Sequence, residues 1–236
     1  MTNNDNDSCP LVSIVLPLYN GERFIGETVA SVLRQSYRNY ELLVIDDGSR
    51  DRGRQLLPDD ARIRLFVRDN HGVAATRNFG IEQARGEIIA FIDQDDEWLP
   101  EKLEIQMRRL MANPEVDYNL TMMRYDLVGG IPRPWWLKPE QVENPQPGLL
   151  PSALLARRRA FSKVGLFNEK LVNASDMEWF LWAERLGVKR EIIDQVLLLH
   201  KIHDSNRSHD QQTNKKELFM ILRRQIAASR KGEDRA

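Results

Sequence analysis

Ile88-Ile89-Ala90-Phe91-Ile92-Asp93-Gln94-Asp95-Asp96 runs five apolar residues straight into three carboxylates within four positions. The apolar half has the length and the branched and aromatic side chains of a buried strand. The acidic half repels itself, so it calls for a cation. Hard oxygen ligands of this kind suit Mg2+ or Mn2+. The alternative is a solvated acidic turn capping the next helix, which Pro100 opens at its first turn and which sets Leu103, Met107, Leu110 and Met111 along one face. A place directly after a buried strand favours a ligand site.

The same unit recurs toward the N-terminus. Apolar runs at 11–16, 40–45 and 63–67 read as strands, and residues 22–35 and 73–84 read as helices. A short helix follows Asp51 and ends at Pro58, and Gly86 stands where a glycine stop of the 73–84 helix belongs. Alternating strands and helices imply an α/β fold with a parallel sheet covered on both faces. Ligands of such sheets sit beyond the carboxyl ends of the strands. Three further loops occupy those positions. They are Pro17-Leu18-Tyr19-Asn20-Gly21, Asp46-Asp47-Gly48-Ser49-Arg50-Asp51, and Asn70-His71-Gly72 at the start of the helix that carries Arg77 and Asn78. Neither a dinucleotide-binding glycine fingerprint nor a Walker-type loop is present. Asp46-Asp47-Gly48 taken alone also reads as an Asp-Gly turn with a helix cap at Ser49 or Asp51.

The chain has 236 residues, 34 basic against 35 acidic, for a net charge of −1. That balance gives no general attraction for nucleic acid. The single cysteine, Cys9, excludes an internal disulfide and fits a reducing compartment. Residues 1–10 are polar and acidic and read as a tail without the basic and apolar regions of a leader. No apolar run has the length of a membrane span. A cytoplasmic protein is the expectation. Residues 126–150 hold five prolines and the pair Trp135-Trp136, which reads as a long loop or lid. Those indoles either stack on a sugar or anchor the loop. Beyond it come a strand at 152–156, helices at 157–164 and 177–186, a strand at 192–200 and an amphipathic helix at 215–229. Arg157-Arg158-Arg159 reads as a solvated helix start rather than a phosphate clamp.

Taken together, Pro17-Leu18-Tyr19-Asn20, Asp46-Asp47-Gly48-Ser49 followed by Asp51, Asn70-x-Gly72 leading to Arg77-Asn78, and Gly86-Glu87 before Phe91-Ile92-Asp93-Gln94-Asp95-Asp96 resemble glycosyltransferase family 2. The likeness holds in order and spacing over about residues 11–115. It implies the GT-A (Rossmann-like) fold, with a central, mostly parallel sheet in one domain at 11–212. Residues 11–115 would be its nucleotide-sugar half and 116–212 its acceptor half, with a C-terminal helix and tail at 213–236.

Further on, Gly165-Leu166-Phe167-Asn168-Glu169 is similar to the segment before the family's catalytic carboxylate. Asp176 then aligns with the general base, although Ser175 stands where the family usually has an acid. By this resemblance Asp47 contacts the nucleotide base with Asp46 nearby, and Pro17, Tyr19 and Asn20 line the nucleotide pocket. Arg77, Asp93 and Gln94 belong to the same donor site. Asp95 is the principal metal ligand, and His203 is either the second ligand that some relatives add or an ordinary exposed histidine. Trp179, three residues after Asp176, is expected to face the acceptor with Trp135 and Trp136.

The implied activity is inverting transfer, aided by Mn2+ or Mg2+, from a nucleoside-diphosphate sugar to a saccharide or lipid-linked hydroxyl. The basic final helix allows peripheral membrane contact. A sugar-phosphate nucleotidyltransferase and a non-catalytic nucleotide-sugar-binding module are the alternatives.

Overall fold

In the computed structural model, which describes residues 9–206 and 210–231, strand β1 (Val12–Leu18) is buried at every position. The tail expected at 1–10 lies outside the described residues, apart from Cys9 and Pro10. Strand β1 has parallel neighbours on both sides, β2 (Tyr40–Asp47) and β4 (Ile88–Phe91), so neither face nor edge meets water. This is why the run reads as continuously apolar rather than alternating. Pro17 lies inside β1 rather than ending it. The shared register with β4 stops at Val15 and Phe91, so the missing proline N–H removes no bond on that side. Strand β3 (Ile63–Arg68) completes the parallel order β3-β2-β1-β4.

Helices α1 (Ile25–Leu33) and α2 (Val73–Gln83) connect these strands. Helix α2 presses close to the sheet, because a Cβ on Gly80 would stand 2.3 Å from a methyl of Val15. Gly86 is not a helix stop. A Cβ there would come within 2.3 Å of the Leu11 carbonyl oxygen, so close backbone approach fixes the residue.

The remaining strands turn the sheet mixed. Strand β5 (Glu97–Trp98) and helix α3 (Lys102–Ala112) follow the acidic run, and then come β6 (Tyr118–Leu127), α4 (Pro139–Glu143), β7 (Gln146–Pro147), β8 (Leu155–Arg157) and α5 (Arg158–Val164). Helix α6 (Ser175–Arg185), β9 (Arg190–Ile202) and α7 (Gln211–Lys231) close the described chain. The order continues β4-β8-β6-β9-β5. Strand β8 is antiparallel to both β4 and β6, β9 parallel to β6, and β5 antiparallel to β9. The parallel arrangement expected from alternation therefore holds for the first four strands and again between β6 and β9.

Strand β6 has no strand signal in the sequence. Its buried positions include Asn119 and Thr121, which break the apolar pattern. Asn119 is satisfied inside the core by Gln106 of α3, at 3.0 and 2.9 Å. The arginine triplet is not a phosphate clamp, and of its three side chains only Arg159 is exposed. Arg158 donates to the carbonyls of Ile81, Ala84 and Gly86, Arg157 to those of Leu110 and Val116, and Arg159 to the buried carboxylate of Asp117. Asp117 also takes Lys163 and the backbone N–H of Lys189, so one buried carboxylate ties α5 to the start of β9.

Candidate active site

The carboxyl ends of β1, β2 and β4 open onto a cleft of about 820 Å3, within the usual range of small-molecule sites. The loops on its donor side are bonded to one another. Tyr19 N–H donates to Gln94 Oε1 at 2.8 Å, and Gln94 Nε2 donates back to the Tyr19 carbonyl at 3.1 Å. Asn20, held left-handed at φ 48°, donates its N–H to Ser49 Oγ and accepts the Arg50 N–H on its side chain. Asparagine tolerates that backbone region better than most residues. Glu22 N–H reaches Asp51 Oδ2 at 2.8 Å.

Asp46 and Asp47 alternate along β2 and so serve opposite sides. Asp47 lines the cleft and accepts the N–H groups of His71 and Gly72 at 3.0 and 2.9 Å. Asp46, expected near the nucleotide, is fully buried and outside the cleft lining. It accepts the Ser49 N–H and pairs with Arg54, so it shapes the turn beneath the site. Arg77 is 5% exposed and binds Asp93 Oδ1 at 2.6 Å. Burial opposes its charge, but the carboxylates of Asp93 and Asp176 outweigh burial and raise its pKa further. Its Nε is buried with no partner among the described residues.

Asp95 Oδ2 lies 2.9 Å from His203 Nε2 and 3.3 Å from Asn206 Nδ2. His203 stacks on Phe24 at a centroid distance of 4.3 Å, and Ser205 Oγ holds its Nδ1 at 2.9 Å. These contacts aim Nε2 at the carboxylate, as the outer contacts of a metal-ligating histidine do. A carboxylate oxygen and an imidazole nitrogen side by side are a donor pair that would fit a divalent ion. No group of three or more candidate His, Cys, Asp or Glu ligands occurs among the described residues. Asp96 is fully buried and accepts His200 Nδ1 at 2.7 Å. Burial alone would lower the His200 pKa, but the Asp96 carboxylate pushes it up to about 9.

Asp176 faces this group from the first turn of α6 and lines the same cleft. Burial raises its pKa against the opposing pull of Arg77. The backbone before it is gripped by α7. Glu217 accepts the consecutive N–H groups of Val172, Asn173 and Ala174 at 2.6, 3.0 and 2.8 Å. Sequence reading missed Glu217, and its one signal is that it is the only acid between 211 and 231. His200 and Asn206 were also missed as contacts of the acidic run.

Trp179 does not face the cleft. Trp179 is 2% exposed, packs on Phe161 and Tyr118, and donates its indole N–H to the Gly165 carbonyl. It belongs to the core, because the face of α6 three residues on from Asp176 turns inward. Trp135 is 77% exposed, and neither it nor Trp136 lines the cleft.

The sequence profile of "Glycosyl transferase family 2" matches residues 13–163. The chain belongs to glycosyltransferase family 2. An uncharacterized glycosyltransferase of Rickettsia typhi is 31% identical over 214 residues, which is 85% of this chain and 66% of the relative. An Escherichia coli family relative, UDP-Glc:alpha-D-GlcNAc-diphosphoundecaprenol beta-1,3-glucosyltransferase WfgD, is 44% identical over 106 residues, covering 44% of this chain and 42% of its own. Across the first curated relatives the chain spans about a third to two thirds of their length. The crystal structure of S. aureus TarS 1–349 in complex with UDP-GlcNAc superposes with a TM-score of 0.68 at 21% identity, over 84% of this chain and 60% of that one. That likeness shows the GT-A fold.

Proposed function

We propose that this family 2 chain transfers a sugar from a nucleoside-diphosphate sugar to an acceptor hydroxyl in one inverting displacement. One observation carries the reading. A single cleft is lined at once by the Asp95–His203 pair, the Arg77–Asp93 pair and the partly exposed carboxylate of Asp176. A donor diphosphate and an attacking hydroxyl can therefore meet in one space.

In this reading Asp47, Pro17, Tyr19 and Asn20 bind the nucleoside, with the Gln94 clamp holding the Tyr19 backbone in place. Arg77 keeps Asp93 oriented. Asp176 takes the proton of the acceptor hydroxyl as that oxygen bonds to the anomeric carbon. The bond from that carbon to the diphosphate breaks, and the leaving nucleoside diphosphate keeps the electron pair. Asp95 and His203 would hold a Mg2+ or Mn2+ ion, whose chemistry is to offset charge on the diphosphate. Most of the acceleration comes from holding both reactants in line.

The relatives' names support a uridine diphosphate sugar as donor and a lipid-linked diphosphate saccharide as acceptor. The test is release of UDP from UDP-sugars by the purified chain with Mn2+, with and without a polyprenyl-diphosphate saccharide. Acceptor-dependent release is expected. Binding of UDP-sugar without any release, across donors and acceptors, would show a binding module instead.

A further inference from the structure

Helix α7 presents two contrasting faces. Its inner face carries Glu217 and Ile221, both buried, with Arg224 turned to Glu178 of α6. Its outer face carries Phe219, Leu222 and Ile226, which are 68%, 46% and 53% exposed. They recur at helical spacing, so they form one stripe pointing away from the protein. Exposed Lys216 and Arg223 flank that stripe. Over 211–231 the sequence holds Lys215, Lys216, Arg223, Arg224, Arg230 and Lys231 against the lone acid Glu217, whose carboxylate is used inside. No helix among the described residues is long and apolar enough to cross a membrane.

We infer that the outer face of α7 docks on an anionic lipid bilayer, with Phe219, Leu222 and Ile226 entering the headgroup boundary. An apolar stripe within a basic helix has the signature of a helix lying in the interface plane. Charge selects the occupant: a protein partner needs only the apolar stripe, whereas exposed Lys215, Lys216 and Arg223, with no exposed acid among the described side chains of the helix, match a negative lipid surface. The orientation follows from the cleft. Asn214, Lys215 and Leu218, on the adjoining side of the same helix, line the cleft that also holds Asp176. Docking would set the mouth of the cleft at the headgroup layer, within reach of a diphosphate saccharide carried on a lipid. That last step rests on the proposed acceptor, while the docking itself does not.

The experiment is flotation of the purified chain with vesicles of phosphatidylcholine alone or with about one third phosphatidylglycerol. The expected result is binding to the anionic vesicles only, weakened by salt. Phe219→Asp with Ile226→Asp should cut that binding about tenfold or more. The same variant should keep its UDP-release rate on a water-soluble acceptor, because neither residue lines the cleft. Absence of vesicle binding in the unaltered chain would overturn the inference. So would a dimer that the double variant converts to monomer without any vesicle binding, since the stripe would then be a contact between copies. Vesicle binding without sugar transfer would leave docking standing and remove the transferase reading. Transfer to a lipid-linked acceptor without vesicle binding would do the reverse.

Discussion

The two sides of the cleft are built differently. On the donor side, loops from three strand ends brace one another directly, through Tyr19 with Gln94, Asn20 with Ser49 and Arg50, and Asp47 with the N-terminus of α2. On the acceptor side, Asp176 rests on a short helical turn whose approach is held from outside by Glu217 of α7. A site made from strand ends is positioned by the sheet, whereas a site at a helix start depends on whatever grips that start. The contrast predicts that donor binding survives damage that transfer does not.

The largest effect expected from breaking the donor side is at Asp95. Asp95→Ala should weaken metal-dependent UDP-sugar binding about 10²-fold in calorimetry, since it removes one of two aligned ligands. Equal affinity with and without Mn2+ in the unaltered chain would remove the metal from the site. Breaking the acceptor side at Glu217→Ala should lower kcat about tenfold while UDP affinity stays, because misplacement of the base costs rate rather than donor binding. Glu217→Gln, which keeps an acceptor oxygen, should recover part of that loss. A merely structural role would lower both parameters and the Tm together.

Asp117→Asn tests stability away from both sides. It should cost about 1–3 kcal/mol in denaturant unfolding, because Arg159 and Lys163 are half-exposed and lose only part of their partner. Burial would raise the Asp117 pKa, but hydrogen bonds from Lys163 and Arg159 hold it below the usual carboxylate value. Its contribution is therefore complete above the unfolded-state pKa and is lost as pH falls through the lower folded-state pKa. The smallest effect is expected from Trp135→Ala, with donor affinity unchanged within about twofold, since the indole lies in water away from the cleft.

Much of the donor side was legible in the sequence, and the reason is local. Parallel strands buried on both faces give continuous apolar runs, and the loops that follow hold the chemistry. Arg77 meets Asp93 and Asp95 meets His203 in the structure, His203 being buried where an exposed histidine was the alternative. The rest depended on tertiary partners. Strand β6 hid because Asn119 and Thr121 are buried polar residues, and the bonds that satisfy Asn119 come from α3. Asp46 and Trp179 were placed by neighbourhood in sequence, but strand alternation and the inward face of α6 turn them away from the cleft. Glu217 lies about forty residues beyond the base it supports, a distance no local pattern spans.

With Asp176 as the proposed proton acceptor and its pKa raised by burial, transfer should fail as pH drops through that raised value. The most direct measurement is Asp176→Asn assayed for both UDP affinity and acceptor-dependent UDP release. Unchanged UDP affinity is expected, with release reduced about 10²- to 10⁴-fold. Release near that of the unaltered chain would contradict that expectation and place the base elsewhere.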